Sequence, residues 1–413
     1  MRLREVVIMK IIAFLESIII AFSCFFCSIF NVQSKDVKAF IEQNGGFMYG
    51  VCHPNEDYEM LADAGLKWVR FDIPYPYNAI GAISGYYTEF KERCREYTAR
   101  GFKVMAVTPY PRDYFNIEGF NPVEEVERTK ELAVFLYNDL KDITAAFQIT
   151  NEMGVGSSFM LPLSLEEAAK FIGIQLEAIS EAKEKDDSDF PIGYNSAYIQ
   201  KDLQKLMKPY YKYCDYVGID LYFGVQGKAK PSDYSKEVNK LYRMTHKPII
   251  IEEFGFWSEG RPKTAEEKAD ILGYYGYSTE ADAIADGMNF VNKLPSQFRQ
   301  RLIEEYPDNE NQWSEIIFKK MSNHFYGETS AVTINNIPHT YEGQAEYFKE
   351  VMGKLREKKC LAGMIIYCCQ DMGTCWYCGQ SWCPFETRWG LFDLEGNPKP
   401  SYYAVKDFIA ENM

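Results

Sequence analysis

Histidine is scarce: the 413-residue sequence holds four, and His246, His324 and His339 stand at no metal-ligand spacing. There is no Gly-rich phosphate loop, no Walker motif and no His-Glu-x-x-His, so those phosphate and zinc signatures are absent. No Gly-X-Y period, heptad array or repeat of about 20–50 residues is present, which excludes fibres and solenoids. Basic residues are outnumbered, 45 against 59 acidic, giving a formal charge of −14. With no Lys/Arg stripe, such a surface repels a phosphate backbone, and nucleic-acid binding is excluded. What is present is ordinary for a globular protein: 46% apolar and 25% charged residues, too apolar for disorder. Aromatics are plentiful, with 30 Tyr, 28 Phe and 6 Trp. They suit either a large core or stacking on sugar rings.

Residues 1–34 open with Arg2, Arg4 and Lys10 and continue as an apolar run interrupted by Glu16, Ser17, Ser23 and Ser28. The interruptions make a poor membrane span. A basic front, an apolar middle and the exit Val32-Gln33-Ser34 read as a secretory signal cut near Ser34, with an uncleaved signal anchor as the alternative. The mature chain, 35–413, then carries about −15 and is expected to be secreted or otherwise extracytoplasmic. Nine cysteines remain: Cys52, Cys94, Cys214, Cys360, Cys368, Cys369, Cys375, Cys378 and Cys383. Cys375-x-x-Cys378 with Cys383 could be a zinc or redox site. With no second such pair and no histidine nearby in sequence, disulfides bracing a loop are the expectation in an oxidising compartment, with at least one thiol left over.

Short apolar runs alternate with longer amphipathic ones, as in a parallel sheet with crossover helices. Strands are predicted at 47–52, 67–71, 103–108, 146–150, 191–196, 216–222, 248–253 and 363–368. Asn121-Pro122-Val123-Glu124 is predicted to open a helix, and Ser164-Leu165-Glu166-Glu167 is a capping box opening another. Gly65 and Gly101 sit where C-cap glycines belong. Eight strand–helix units make a single (β/α)8 TIM barrel of the α/β class, which typically needs about 250 residues. The surplus is mostly a helical insertion at about 258–338 between strands seven and eight, with helices expected at 265–275, 280–293 and 313–325. It reads as a subdomain over the barrel mouth.

Chemistry on such a barrel sits at the C-terminal strand ends. Those ends offer Arg70 and Asp72, Thr108-Pro109-Tyr110, Thr150-Asn151-Glu152, Asp220-Leu221-Tyr222, and Glu252-Glu253-Phe254-Gly255. Acids at the ends of strands four and seven face each other across the mouth and can flank a glycosidic bond, one as proton donor and one as nucleophile. Such a pair is split in pKa when one acid lies near apolar surface and the other near a cation. Arg70 is the cation for Glu253, and Tyr222 could bond the same carboxylate. Asn151 could hold a sugar hydroxyl. Glu252 competes with Glu253, but alternation along a strand lets only one face the barrel. Tyr75, Tyr77, Tyr110, Tyr114, Phe223 and Trp257 could stack on sugars, and His53 is a candidate polar contact.

At these residues the sequence resembles the clan A glycoside hydrolases, the retaining (β/α)8 glycosidases that include families 5 and 39. The resemblance rests on pieces in order: Ala64-Gly65-Leu66-Lys67-Trp68-Val69-Arg70-Phe71-Asp72, Ile149-Thr150-Asn151-Glu152, Val217-Gly218-Ile219-Asp220-Leu221-Tyr222, and Lys247 through Trp257. Trp389-Gly390-Leu391-Phe392-Asp393 closes the series. It implies Glu152 as acid/base and Glu253 as nucleophile, with Arg70 and Tyr222 contacting the nucleophile and Asn151 binding the sugar 2-hydroxyl. Two departures stand out. Met153 follows Asn-Glu where family members usually have Pro, and strand eight reads Ile365-Ile366-Tyr367-Cys368 where many carry a Trp floor for the central sugar. Trp376 or Trp382 would replace that floor. The resulting expectation is a metal-independent, cofactor-free monomer acting on a β-linked carbohydrate, with no nucleic-acid partner and no membrane contact after signal removal. A non-catalytic sugar-binding barrel and a transglycosylase with the same acids are the alternatives.

Overall fold

The computed structural model describes residues 35–155 and 159–412; the expected signal segment lies outside them. All eight predicted strands form: β1 (Met48–Cys52), β2 (Trp68–Asp72), β3 (Lys103–Val107), β4 (Ala146–Ile149), β5 (Ile192–Tyr194), β6 (Tyr216–Asp220), β7 (Ile249–Phe254) and β8 (Leu361–Ile366). They are parallel and close into a barrel in sequence order, β8 returning to β1 with Gly363 opposite Met48. Every residue of β7 and β8 is buried, as expected for strands covered by side chains inside and helices outside. No helix among the described residues is long and apolar enough to cross a membrane.

Local sequence sets the helix ends. Ser164 caps the helix Leu165–Lys185: its Oγ accepts from the Glu167 N–H at 3.3 Å, and Glu167 Oε2 accepts from the Ser164 N–H at 2.8 Å. Asn121 behaves differently from expectation. Its carbonyl accepts from the N–H groups of Glu124 and Glu125, and the Asn-Pro pair forms a turn, so the helix starts at Val126. In the insertion the expected 280–293 helix is broken at Gly287 into Glu280–Asp286 and Met288–Lys293, because Gly287 takes φ +58°. The helix Ser296–Glu305 was not expected.

The insertion packs around its own aromatic core, with Phe290 stacked on Phe318 at 5.5 Å. It also grips the long segment that follows β8. The Arg301 guanidinium lies 5.1 Å from the Trp376 ring and 4.8 Å from Tyr377. The Tyr377 hydroxyl bonds Glu305, and Trp382 Nε1 donates to the Phe325 carbonyl at 3.1 Å. The two ends of that segment are tied together by a buried ion pair, Lys399 Nζ to Asp371 Oδ1 at 2.7 Å. The same ammonium donates to Ser258 Oγ, and Asp371 Oδ1 also accepts from the Gly390 N–H.

The expected disulfides are not seen among the described residues. All nine cysteines of the described residues are buried free thiols. Six are dispersed among core packing and polar contacts: Cys52 Sγ lies against Arg70 under the barrel mouth, and Cys369 Sγ accepts from the Asn55 N–H. The remaining three, Cys375, Cys378 and Cys383, gather around His324. That neighbour comes from the insertion, 51 residues before Cys375 in sequence, so a search for local spacing misses it.

Candidate active site

The end of β4 is built from two residues in the left-handed region, Thr150 at φ +57° and Glu152 at φ +46°. Each such residue costs about 1–3 kcal/mol and persists only where surroundings enforce it. Here the Thr150 N–H is held by Thr108 Oγ1 at 3.0 Å and the Glu152 N–H by Asn195 Oδ1 at 2.8 Å. The kink presents the Asn151 amide and the Glu152 carboxyl to the barrel mouth.

Three donors converge on Asn151 Oδ1: Arg70 Nη2 at 2.7 Å, Asn195 Nδ2 at 2.8 Å and Gln148 Nε2 at 2.9 Å. This fixes the amide so that its Nδ2 faces Glu253 Oε1 at 3.4 Å. Arg70, 2% exposed, is spread across the site. Its Nη1 donates to Glu253 Oε1 and its Nε to Gln148 Oε1, both at 2.7 Å. The Tyr222 hydroxyl donates to Glu253 Oε2, also at 2.7 Å. Glu253 is thus an acceptor on both oxygens and is oriented by three elements.

One carboxyl oxygen each of Glu152, Asp220 and Glu253 lies within 4.8 Å of the other two. One guanidinium serves the three, so they cannot all ionise easily. Burial, then the Glu253 charge, pushes the Glu152 carboxyl up to about 8, with Arg70 acting in the opposite direction. Burial likewise pushes Asp220 well above the usual carboxylate range, and its Oδ2 accepts from Asn195 Nδ2 at 2.7 Å. A proton donor therefore stands beside an oriented, cation-paired carboxylate.

These groups open onto a cavity of about 750 Å³, within the usual range for small-ligand sites. Arg70, Asn151, Glu152, Tyr222, Glu253, His53, Tyr110, Trp257 and Trp376 all line it. Phe223 also does, whereas Tyr75 and Tyr114 pack on each other away from it, 5.2 Å between ring centres. Trp382 does not reach the cavity. The aromatic floor is built instead on Trp389, whose ring meets Trp257 and Tyr222 at 5.1 Å and Tyr367 at 5.6 Å. Trp389 and Tyr367 were present in the sequence pieces, but their convergence was not readable there. Asp72, read at the end of β2, lines the cavity too, and Tyr198, Arg112 and Phe159 line it with no sequence signal. Glu386 does so as well; burial pushes it up to about 8, and it accepts from the Tyr367 hydroxyl at 3.1 Å.

No family model matches the chain, and no curated protein sequence matches it. Solved structures do. The GH53 catalytic domain of Ignisphaera aggregans superposes with a TM-score of 0.52 at 15% identity, over 87% of this chain and 95% of that one. A β-glucosidase from Exiguobacterium marinum gives 0.51 at 13% identity, over 87% and 86%. A family 39 glycoside hydrolase from the gut symbiont Bacteroides cellulosilyticus WH2 gives 0.50 at 13% identity, over 87% and 62%. The shared property is the fold, a (β/α)8 barrel.

In this barrel Glu253 lines the cavity and Glu252 does not. Glu252 is fully buried, and its carboxyl fills the space a side chain at Gly218 would need: a Cβ there would meet Glu252 Oε2 at 1.7 Å. Burial pushes the Glu252 carboxyl up to about 8. The unfolded-state value is near 4.5, so the folded protein loses stability as pH rises from there toward 8. Glu252→Gln, which removes the ionisation and keeps the shape, is expected to match wild type near pH 4.5. Above that its advantage should grow, reaching on the order of 4 kcal/mol at most by pH 8. Urea unfolding at several pH values measures this, and a difference independent of pH would refute it.

Proposed function

We propose that the protein is a retaining β-glycosidase acting on a poly- or oligosaccharide, with Glu253 as nucleophile and Glu152 as acid/base. The observation that carries the reading is the pairing of a half-buried carboxyl held near 8 with a carboxylate oriented by Arg70 and Tyr222, one oxygen of each within 4.8 Å of the other. Retaining pairs are spaced for direct attack, about 5–5.5 Å, whereas inverting pairs leave room for a water. The glycoside hydrolase fold of the neighbouring structures supports the same reaction class.

In the first step Glu152 gives its proton to the glycosidic oxygen as that bond breaks. Glu253 attacks the anomeric carbon from the opposite face and forms a glycosyl ester. In the second step Glu152, now ionised, takes a proton from water. The hydroxide attacks the same carbon, the ester bond breaks, and Glu253 leaves as a carboxylate. Two inversions return the β-anomer. Asn151 Nδ2, fixed toward Glu253, is placed to donate to the sugar hydroxyl beside the anomeric carbon. The Trp389 floor complements the C–H face of the ring.

The test is reducing-sugar release from β-glucans, mannans, xylans and galactans, with product anomers followed by NMR. A β-anomer as first product is expected, and an α-anomer first would refute retention. Activity requires Glu152 protonated, so it should fall as pH rises through about 8. In Glu152→Ala that alkaline limb should vanish, and external azide should restore turnover of substrates with activated leaving groups. An unchanged alkaline limb in this variant would remove Glu152 from the role.

A further inference from the structure

The segment after β8 contains a cluster that the proposed chemistry does not use. Cys375, Cys378 and Cys383 are each 0% exposed, and their sulfurs and one ring nitrogen of His324 all lie within 4.8 Å of one another. One edge of this polyhedron, Cys383 Sγ to His324 Nδ1, is 3.6 Å. A tetrahedral zinc ion, with Zn–S of about 2.3 Å and Zn–N of about 2.0–2.1 Å, sets its ligand atoms about 3.6–3.8 Å apart.

The backbone around the cluster is arranged for thiolates. The Cys378 N–H points at the Cys375 sulfur and the Gln380 N–H at the Cys378 sulfur. That turn requires Gly379, whose φ is +74° and whose Cβ, if present, would meet Pro295 at 2.5 Å. The chain folds back there, with the Gly379 N–H on the Cys375 carbonyl at 2.7 Å and the Cys375 N–H on the Gln380 carbonyl at 3.0 Å. The His324 ring is clamped between Tyr377 at 4.3 Å and Phe385 at 4.5 Å, so the imidazole is oriented by the segment it would help bind.

We propose that His324, Cys375, Cys378 and Cys383 bind one zinc ion. Three soft thiolates and an imidazole select zinc over hard cations. Four protein ligands leave no open position, so the ion is structural. It joins the insertion helix Ser322–Tyr326 to the segment that supplies Trp376, Glu386 and Trp389 to the cavity. A disulfide would consume two of the sulfurs and leave the third beside His324 without purpose.

The test is elemental analysis of the purified protein, with cobalt exchange into the wild type. One zinc per chain is expected. Cobalt should give sulfur-to-metal charge-transfer bands and the intense visible bands of a tetrahedral site. Cys378→Ser should lower bound zinc by about tenfold or more, while Cys360→Ser, a buried thiol ahead of β8, should keep it. His324→Cys, which restores four ligands, should retain zinc where His324→Ala loses it; this pair decides the matter if Cys378→Ser fails to fold. Zinc retained in both Cys378→Ser and His324→Ala would overturn the assignment. So would wild type carrying iron or no metal, or a disulfide among the three cysteines found by non-reducing peptide mapping.

Discussion

Glu253→Ala is expected to lose roughly 10⁵-fold in kcat/KM, about 7 kcal/mol of transition-state stabilisation, with the barrel still folded. The size follows from the proposed two-step route. Without the carboxylate there is no ester intermediate, and the cation-like transition state loses the negative charge that Arg70 and Tyr222 hold in place at 2.7 Å each. Circular dichroism should be unchanged, because Glu253 lines the open cavity and its removal leaves Arg70 with Gln148 and Asn151 as partners. A 2-deoxy-2-fluoro glycoside with an activated leaving group should form a stable adduct on the peptide containing Glu253 in wild type. Retained turnover in Glu253→Ala, or an adduct on another peptide, would sink the nucleophile assignment. Glu252 would be a poor substitute, since it is buried away from the cavity.

Arg70→Met should unfold at markedly lower urea, by about 3–5 kcal/mol, because it strands charge that is already buried. Arg70 is the cation among Glu152, Asp220 and Glu253, and the Coulombic pull of its guanidinium lowers the first two acids. Removing it deprives Glu253 Oε1, Gln148 Oε1 and Asn151 Oδ1 of a donor at once. The loss should be larger at pH 8 than at pH 5, since protonation relieves the unpaired acids. Arg70→Lys keeps the charge but cannot reach three acceptors with one planar fork, so an intermediate loss is expected. Wild-type stability in Arg70→Met would mean that the guanidinium does not hold the site together.

The barrel was legible because each strand is a short apolar run and the order of parallel neighbours follows the order of the chain. Arg70, Asn151, Glu152, Tyr222 and Glu253 were legible for a related reason: strand ends of a closed barrel necessarily converge. Contacts made by long loops were not. Trp389 forms the aromatic floor through rings from β7, β6 and β8 ends, and Glu386 reaches the cavity from the one-turn helix Pro384–Thr387; no periodicity announces either. Asn121-Pro122 misled because an Asn cap and an Asn turn use the same side-chain acceptor, here Oδ1 to the Val123 N–H at 3.1 Å. His324 was invisible as a cysteine neighbour because the insertion folds back in space, and spacing arguments see only the chain.

The six cysteines outside the cluster bear on how the chain would fare where oxidants are present. Thiol oxidation and exchange proceed through the thiolate. Burial pushes Cys94, Cys214, Cys360 and Cys369 up to about 12, and Cys52 and Cys368 well above the usual thiol range. At neutral pH the reactive form of each is therefore rare, and packing also denies access to a small oxidant. The protein needs no cross-links to keep these sulfurs harmless: its interior renders them inert by suppressing their ionisation.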